Sequence, residues 1–440
     1  MSSSSLSLLL FFFFYFSCIS TIFSLPVPLL TPIEKDHPSL QHTTTIHHGT
    51  PFTPTKLLID LSSSFSWIHY NTTNFTSNSH NPIPCNSPLC KSLGSLACSN
   101  QTCSLFPENP LTRRATIAAS VQDLVALPST DGRNPGPHTS VSDFIFASSS
   151  QPQLLHGLPA DVSGVFALGR SDLSFPAQVS RAFSLPYIFT LCLSSSPSAP
   201  GVGFFGTRGP FIFHPEIDLS NSLVYTPLLL NPVSHTVMTY HKIPSPEYYI
   251  GVTSVRVNGK PVKIDEKLLT IDENGYGGTK INSVVPYTTM ESSIYRAFTR
   301  MFTQEAALMN LTTTKPVKPY GVCFKSDVLW HTRVGPAVPT VDFVMHHEKV
   351  YWRFFGGNLM VRIPGDDAND DDGDAGKWCL GFVDGGINAT TSIVIGGHQI
   401  ENNLIQFDLR LRRFGFSSSL MTRETTCANF NFTINPKLNW

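Results

Sequence analysis

The chain has 440 residues, more than one core usually serves, so two domains are the default. Its formal charge of −1, with only 14% charged residues, excludes nucleic acid or an anionic membrane surface as the main partner. With 41% hydrophobic residues it is not a disordered chain, and 34 Pro and 29 Gly among Ser/Thr-rich turns indicate a β-rich globular protein.

The chain opens on an apolar run, Leu6–Phe23, closed by small and polar residues, so residues 1–24 are predicted to be a cleaved signal peptide. No later stretch approaches the ~18 apolar residues of a spanning helix, and no membrane contact is expected after cleavage. Removing the signal takes Cys18 and leaves Cys85, Cys90, Cys98, Cys103, Cys192, Cys323, Cys379 and Cys427. An even number in a secreted chain predicts four disulfides. The spacing of Cys85 with Cys90 and of Cys98 with Cys103 could serve zinc, but an oxidising compartment disfavours that use. These four cysteines allow three pairings among themselves, and spacing does not choose. Sequons at Asn71, Asn74, Asn100, Asn310, Asn388 and Asn431 predict N-glycosylation.

Strand patterns dominate the body of the chain. Leu57–Asp60 is an apolar strand ending at a polar turn, and Gly164–Gly169 is a hydrophobic strand running into glycine. Gly201-Val-Gly203-Phe-Phe-Gly206 matches a dinucleotide fingerprint in letters only, because no strand precedes it and no helix follows. A low-complexity turn, Ser194–Pro200, and a Gly/Pro-rich stretch, Gly206–Pro215, precede a change of pattern near Val224, where the lobe boundary is placed. Tyr249–Val257 alternates as one strand, and Ser292–Leu308 is the best helix, with Ile294, Phe298, Met301 and Phe302 on one face. The run Asp366–Asp374 is an acidic loop that fails the pattern of a calcium loop. The adjacent pairs His47-His48 and His346-His347 point to opposite faces of a strand, so no metal site is predicted. Finally, Ser392-Ile-Val-Ile is a strand closed by Gly396-Gly397.

One echo links the halves. Leu57–Ser63 and Thr279–Val284 are each a strand ending at a short polar turn, each followed downstream by a hydrophobic strand into glycine. A duplicated β-fold has this internal order.

On these residues the chain resembles pepsin-like (A1) aspartic proteases, which place Asp-Thr-Gly-Ser after an apolar strand in each lobe and Trp-Val shortly beyond. Asp60-Leu-Ser-Ser-Ser-Phe-Ser-Trp67-Ile68 keeps the first acid and the tryptophan. The chain more closely resembles the basic 7S globulin, extracellular dermal glycoprotein and TAXI-type xylanase and endoglucanase inhibitor group. Phe106-Pro-Glu-Asn-Pro110, Gly164–Arg170, Leu191-Cys-Leu193, Gly277–Ile281, Ser392–Gly397, Gln406–Leu409, Phe414–Ser417 and Thr426–Phe432 carry this likeness. The resemblance implies a mainly all-β, bilobal pepsin-like fold with a few short helices, lobes of residues 25–222 and 223–440, and no metal or cofactor. It also implies the bridges Cys192–Cys427 and Cys323–Cys379.

Departures from the protease pattern bear on activity. Two carboxylates sharing a proton activate water, but the mate of Asp60 is Asn282, an amide that can neither take nor give that proton. Ser62 and Val284 stand where glycine lets the backbone approach the pair, and no tyrosine lies between Tyr70 and Tyr187 to serve on a flap. Asp60 and Asn282 are therefore vestigial positions, with Asp60 expected to be a turn acid hydrogen-bonded to neighbouring amides.

The resemblance then implies an inactive, secreted homologue in the plant cell wall or apoplast that blocks microbial glycoside hydrolases in defence. The alternatives are an unusual active aspartic endopeptidase and a storage or signalling globulin. In the endoglucanase inhibitors of the group, arginines on second-lobe loops meet the hydrolase's carboxylates, one in Thr-Arg-x-Gly-Pro and one shortly before the last cysteine. Thr332-Arg333-Val334-Gly335-Pro336 and Arg423-Glu424-Thr425-Thr426-Cys427 match, so Arg333 and Arg423 are the implied target-binding residues, favouring endoglucanases over xylanases. Glu424 stands beside Arg423 to neutralise it locally, and the acidic run Asp366–Asp374 would repel an acidic cleft.

Overall fold

The computed structural model describes residues 27–70, 76–95, 97–237, 243–365, 376–436 and 438. The predicted signal peptide, the sequons at Asn71 and Asn74, and the acidic run Asp366–Asp374 lie outside the described residues.

The sequence echo is a structural duplication. Strand Thr53–Asp60 pairs in parallel with Gly164–Ala167, setting Leu58 opposite Val165 and Asp60 opposite Ala167. Strand Thr279–Ile281 pairs in parallel with Ile393–Ile395 in the same manner, Lys280 opposite Val394. Each of those partners also pairs antiparallel with the strand that follows the polar turn, Trp67–His69 in the first half and Thr288–Met290 in the second. Parallel strands with both faces covered read as continuous apolar runs, which is why Leu57-Leu58-Ile59 and Ile393-Val394-Ile395 were visible without alternation. Gly164 is required where it stands, because a Cβ there would lie 2.0 Å from the Trp67 carbonyl oxygen.

Six consecutive antiparallel strands of the large sheet join the halves. Their order is Leu29–Lys35, Gly201–Phe205, Ile188–Cys192, Leu404–Asp408, Arg413–Phe416 and Val224–Leu229. The glycine-rich Gly201–Gly206 segment is thus a buried strand of this platform. At its middle, Phe189 and Phe407 stack with ring centroids 4.7 Å apart. Both are fully buried in one apolar cluster that runs through both halves.

Helix Ser292–Leu308 forms as the periodicity predicts, with Ile294, Phe298 and Phe302 buried and Met301 half-buried. The Glu291 carboxylate caps it, accepting from the N–H groups of Ser293 and Ile294. Helix Phe175–Phe183 was not singled out in the sequence, although Phe175, Val179 and Phe183 recur at helical spacing; it opens with Pro176 in its first turn and ends at Ser184 in the left-handed region. The alternating run Tyr249–Val257 is two strands. Tyr248–Ile250 pairs with Thr279–Ile281, then the chain turns at Val252, whose N–H bonds Ile250 O, and Ser254–Val257 joins Val341–Val344 in another sheet. Alternation reports which face is buried and says nothing about lateral partners, so it runs unbroken through the corner.

All eight cysteines among the described residues are bridged: Cys85–Cys98, Cys90–Cys103, Cys192–Cys427 and Cys323–Cys379. Cys98 and Cys103 face each other across a two-strand ladder yet bond elsewhere. The bridge from Cys192 fixes the C-terminal segment to the central strand of the platform.

Candidate functional site

The two polar turns meet at the junction of the halves. Asp60 ends its strand 1% exposed, its Oδ1 accepting the Ser62 N–H at 2.7 Å and its Oδ2 accepting the Ser63 hydroxyl at 2.5 Å. Burial pushes this carboxyl above the usual carboxylate range, against the pull of the Ser63 and Ser62 hydrogen bonds. Asn282 occupies the matching position. Its Oδ1 accepts the N–H groups of Val284 and Val285 at 2.8 and 2.9 Å, and its Nδ2 donates to the Ser62 hydroxyl at 3.0 Å. The amide acts as a turn residue, and Ser62 links it to Asp60. A proton shared between two carboxyls has no counterpart in this arrangement.

A second pair of equivalent positions crosses between the turns. The Ser283 hydroxyl donates to Ile59 O at 2.8 Å and accepts the Leu61 N–H at 3.2 Å. Leu61 is its structural mate and carries no hydroxyl, so the brace runs one way only. Val284 is buried against Leu58 and Trp67, closing the space beside the turn.

Over the turns lies a cavity of about 590 Å³, lined on the first-half side by Asp60, Ser62 and Phe65. Its floor holds an ion pair, Lys280 Nζ to Glu247 Oε1 at 2.6 Å. The other Glu247 oxygen accepts from the hydroxyls of Ser245 and Tyr249. Burial alone would raise Glu247, but Lys280 and these donors hold it below its ordinary value. Burial opposes charge on Lys280 as well, and Glu247 and Tyr249 reverse that effect and hold it above the ordinary lysine value. The roof is a hairpin around residues 108–115, bridged at Glu108 and Ala115. Arg113 pairs with Glu108 at 2.8 Å and donates to His235 O at 2.6 Å, while the Glu108 carboxylate accepts the Val237 N–H at 3.0 Å. Charged contacts thus tie this hairpin to the 231–237 loop. Of the five charged residues that line the cavity, sequence reasoning singled out Asp60 and missed Glu108, Arg113, Glu247 and Lys280.

The two arginines singled out by resemblance lie on adjacent loops. A hairpin of His331–Thr332 and Gly335–Pro336 turns at Arg333, and a short 3-10 turn, Leu420–Arg423, carries the other. Arg333 Nη1 contacts Glu424 Oε1 at 2.6 Å, with the two side chains 62% and 67% exposed. Glu424 therefore pairs across to Arg333, where the sequence had it neutralising Arg423; its left-handed backbone, φ 61°, turns it out of line with its neighbour. The hairpin is seated by close backbone approach. Gly357 N–H donates to Val334 O at 2.7 Å, and a Cβ on Gly335 would lie 2.2 Å from Gly357 N. Arg423 is exposed. Among the sequons, Asn100, Asn310, Asn388 and Asn431 are exposed.

Comparison with known proteins follows this geometry. The xylanase inhibitor N-terminal family matches residues 42–207, and the xylanase inhibitor C-terminal family matches residues 247–418. The chain is 48% identical over 406 residues to the probable aspartic proteinase GIP1 of Glycine max, covering 92% of each chain. It is 36% identical to gamma conglutin 1 of Prunus dulcis, covering 92% of this chain and 90% of that one. Among solved structures, edgp superposes with a TM-score of 0.87 at 42% identity, covering 93% of this chain and 98% of that one. Conglutin gamma from lupine seeds superposes at 0.76 with 31% identity, covering 93% and 100%. The chain belongs to the xylanase-inhibitor family, whose fold is the pepsin-like one.

Proposed function

We propose that this family member is a secreted, catalytically inactive protein of two lobes, residues 25–222 and 223–440, that inhibits a microbial cell-wall glycoside hydrolase. Xyloglucan endoglucanases are the favoured class and xylanases the next, with the plant cell wall as the place of encounter. The observation that carries the proposal is the juxtaposition of Arg333 and Arg423 on adjoining loops, through the Glu424 contact to Arg333. Glycoside hydrolases use a pair of carboxylates in an open cleft. A guanidinium fork matches a carboxylate in two parallel hydrogen bonds. An ion pair as exposed as Arg333–Glu424 is worth at most ~1 kcal/mol, so Glu424 gives way readily to an incoming carboxylate.

The bonding of Asn282 supports inactivity, and four bridges with exposed sequons support secretion. The test is capture from microbial culture filtrates on the immobilised protein, read by mass spectrometry. Recovery of an endoglucanase or xylanase is expected, and capture of neither contradicts the proposal. A second reading, an active endopeptidase, has the name of the soybean relative in its favour. It requires proton sharing that Asn282 does not provide. Pepstatin-sensitive cleavage of denatured haemoglobin at acid pH would establish it.

A further inference from the structure

Trp330 is 83% exposed, the most exposed of the large apolar side chains among the described residues. A lone apolar side chain on a surface calls for no explanation. The position of this one does. It immediately precedes the hairpin that carries Arg333, between buried Leu329 and His331, and its carbonyl oxygen accepts the Ala337 N–H at 2.8 Å. Next to it, His331 sets its ring edge-on to Trp378 with centroids 5.6 Å apart. The hairpin sits on the Gly356–Gly357 turn so closely that a Cβ at Gly356 would meet Pro336 O at 1.9 Å. The indole is thus presented from a fixed backbone, and no hydrogen bond or ring contact holds it among the described residues. Such pre-organisation lowers the ordering cost of association, and tryptophan and arginine are the side chains that most often dominate interface energetics.

We propose that Trp330 is a principal anchor of the target-binding surface. Its indole packs on an aromatic or apolar wall that lines the sugar-binding cleft of the partner, beside the carboxylate taken by Arg333. This rests on the inhibitor function proposed above and specifies the partner: a hydrolase whose cleft offers a flat apolar wall within a side-chain length of its acidic pair. Charge complementarity places the arginines, and the indole supplies the desolvated area that a contact between exposed charges lacks. A hydrolase with a polar wall at that point is a poor target.

The experiment measures inhibition of a panel of purified microbial xyloglucan endoglucanases and xylanases by the full chain and by W330A, W330F, R333A and R423A. Melting temperatures of all variants serve as the fold control, and W330A is expected to match the parent there because the side chain is solvent-exposed. The expected result is a loss of roughly 30-fold or more in inhibition for W330A, with W330F retaining most of it. If W330A inhibits like the parent while R333A or R423A weakens, Trp330 is no anchor and the arginine surface stands. If W330A weakens inhibition and neither arginine variant does, the indole anchor stands and the arginine account falls. If the parent inhibits no enzyme of the panel, both are overturned.

Discussion

At Asn282 one oxygen holds two backbone N–H groups and the amide nitrogen meets Ser62, so the side chain serves the turn and offers no carboxyl to share a proton with Asp60. Asn282→Asp would place a carboxylate where those same N–H groups stabilise its ionised form. The new acid would then be held charged beside a buried Asp60 whose oxygens both bond serines. The variant is expected to show no peptidase activity on denatured haemoglobin at acid pH; turnover above a blank would contradict this account of the turn. Ser283 is the other critical residue. Ser283→Ala strands the Leu61 N–H and Ile59 O in a buried site, at a cost of ~1–3 kcal/mol. Urea unfolding should show that loss, and an unchanged midpoint would mean the brace contributes nothing. The acid–amide mismatch was legible because it falls inside a short motif repeated after an apolar strand. The link from Glu424 to Arg333 was not, since a left-handed backbone at Glu424 redirects the side chain to a partner 91 residues away.

Among the elements, the roof hairpin depends on Asn109, which is fully buried. Its Oδ1 accepts the N–H groups of Leu111 and Thr112, and its Nδ2 donates to Leu154 O and His156 O. Asn109→Ala is expected to cost ~2–4 kcal/mol by thermal or urea unfolding, because four backbone groups, the buried Leu154 O among them, lose their partner. The start of strand His42–His48 and the short helix Gly397–Ile400 share a different contact. Glu401 accepts from Lys35 Nζ at 2.8 Å, with His42 at 3.5 Å, His398 at 3.8 Å and the Tyr287 ring packed edge-on against His398. Burial, with Lys35 adding to it, pushes His42 and His398 each down to about 3. Unfolded histidines titrate near ~6.5, so between that value and 3 the unfolded chain binds more protons and stability falls as pH drops. Burial pushes Glu401 up to about 7, so its contribution runs the other way and is lost as pH rises through 7. Two histidines outweigh one acid, leaving a net loss of stability on acidification from pH ~6.5 that steepens once the acid no longer offsets it. The double variant His42→Gln with His398→Gln should flatten that slope in urea unfolding at several pH values; an unaltered slope would place the linkage elsewhere. Element identity was readable in helix Ser292–Leu308, where burial follows a 3.6-residue period. It was unreadable at Gly251–Thr253, where a strand pattern crosses between sheets.

The whole molecule is a duplicated sheet whose C-terminal segment is tied back to the shared platform by one bridge. Cys192 and Cys427 are 235 residues apart in sequence, and their bridge joins the middle strand of the shared platform to the terminal segment. Replacing both by serine is expected to lower stability by ~2–5 kcal/mol, measured as a fall in unfolding free energy. No change would mean that the platform alone holds the tail. The bilobal architecture was visible in the sequence because each half repeats a strand, a polar turn and a strand into glycine. The pairing of Cys85 with Cys98 and Cys90 with Cys103 was not, since ladder neighbours need not bond. The charged roof and floor of the cavity were equally hidden: Arg113 meets His235 only across the halves, and Lys280 meets Glu247 only once two strands of the second half pair.

The central claim is that the molecule acts through the surface carrying Arg333 and Arg423 and not through its vestigial turns. Its most direct test is the inhibition constant of the full chain and of the double variant R333A/R423A against a purified microbial xyloglucan endoglucanase. The account predicts tight inhibition by the parent and a loss of ~2–4 kcal/mol for either arginine, with the double variant weaker still. Equal inhibition by parent and double variant would contradict it.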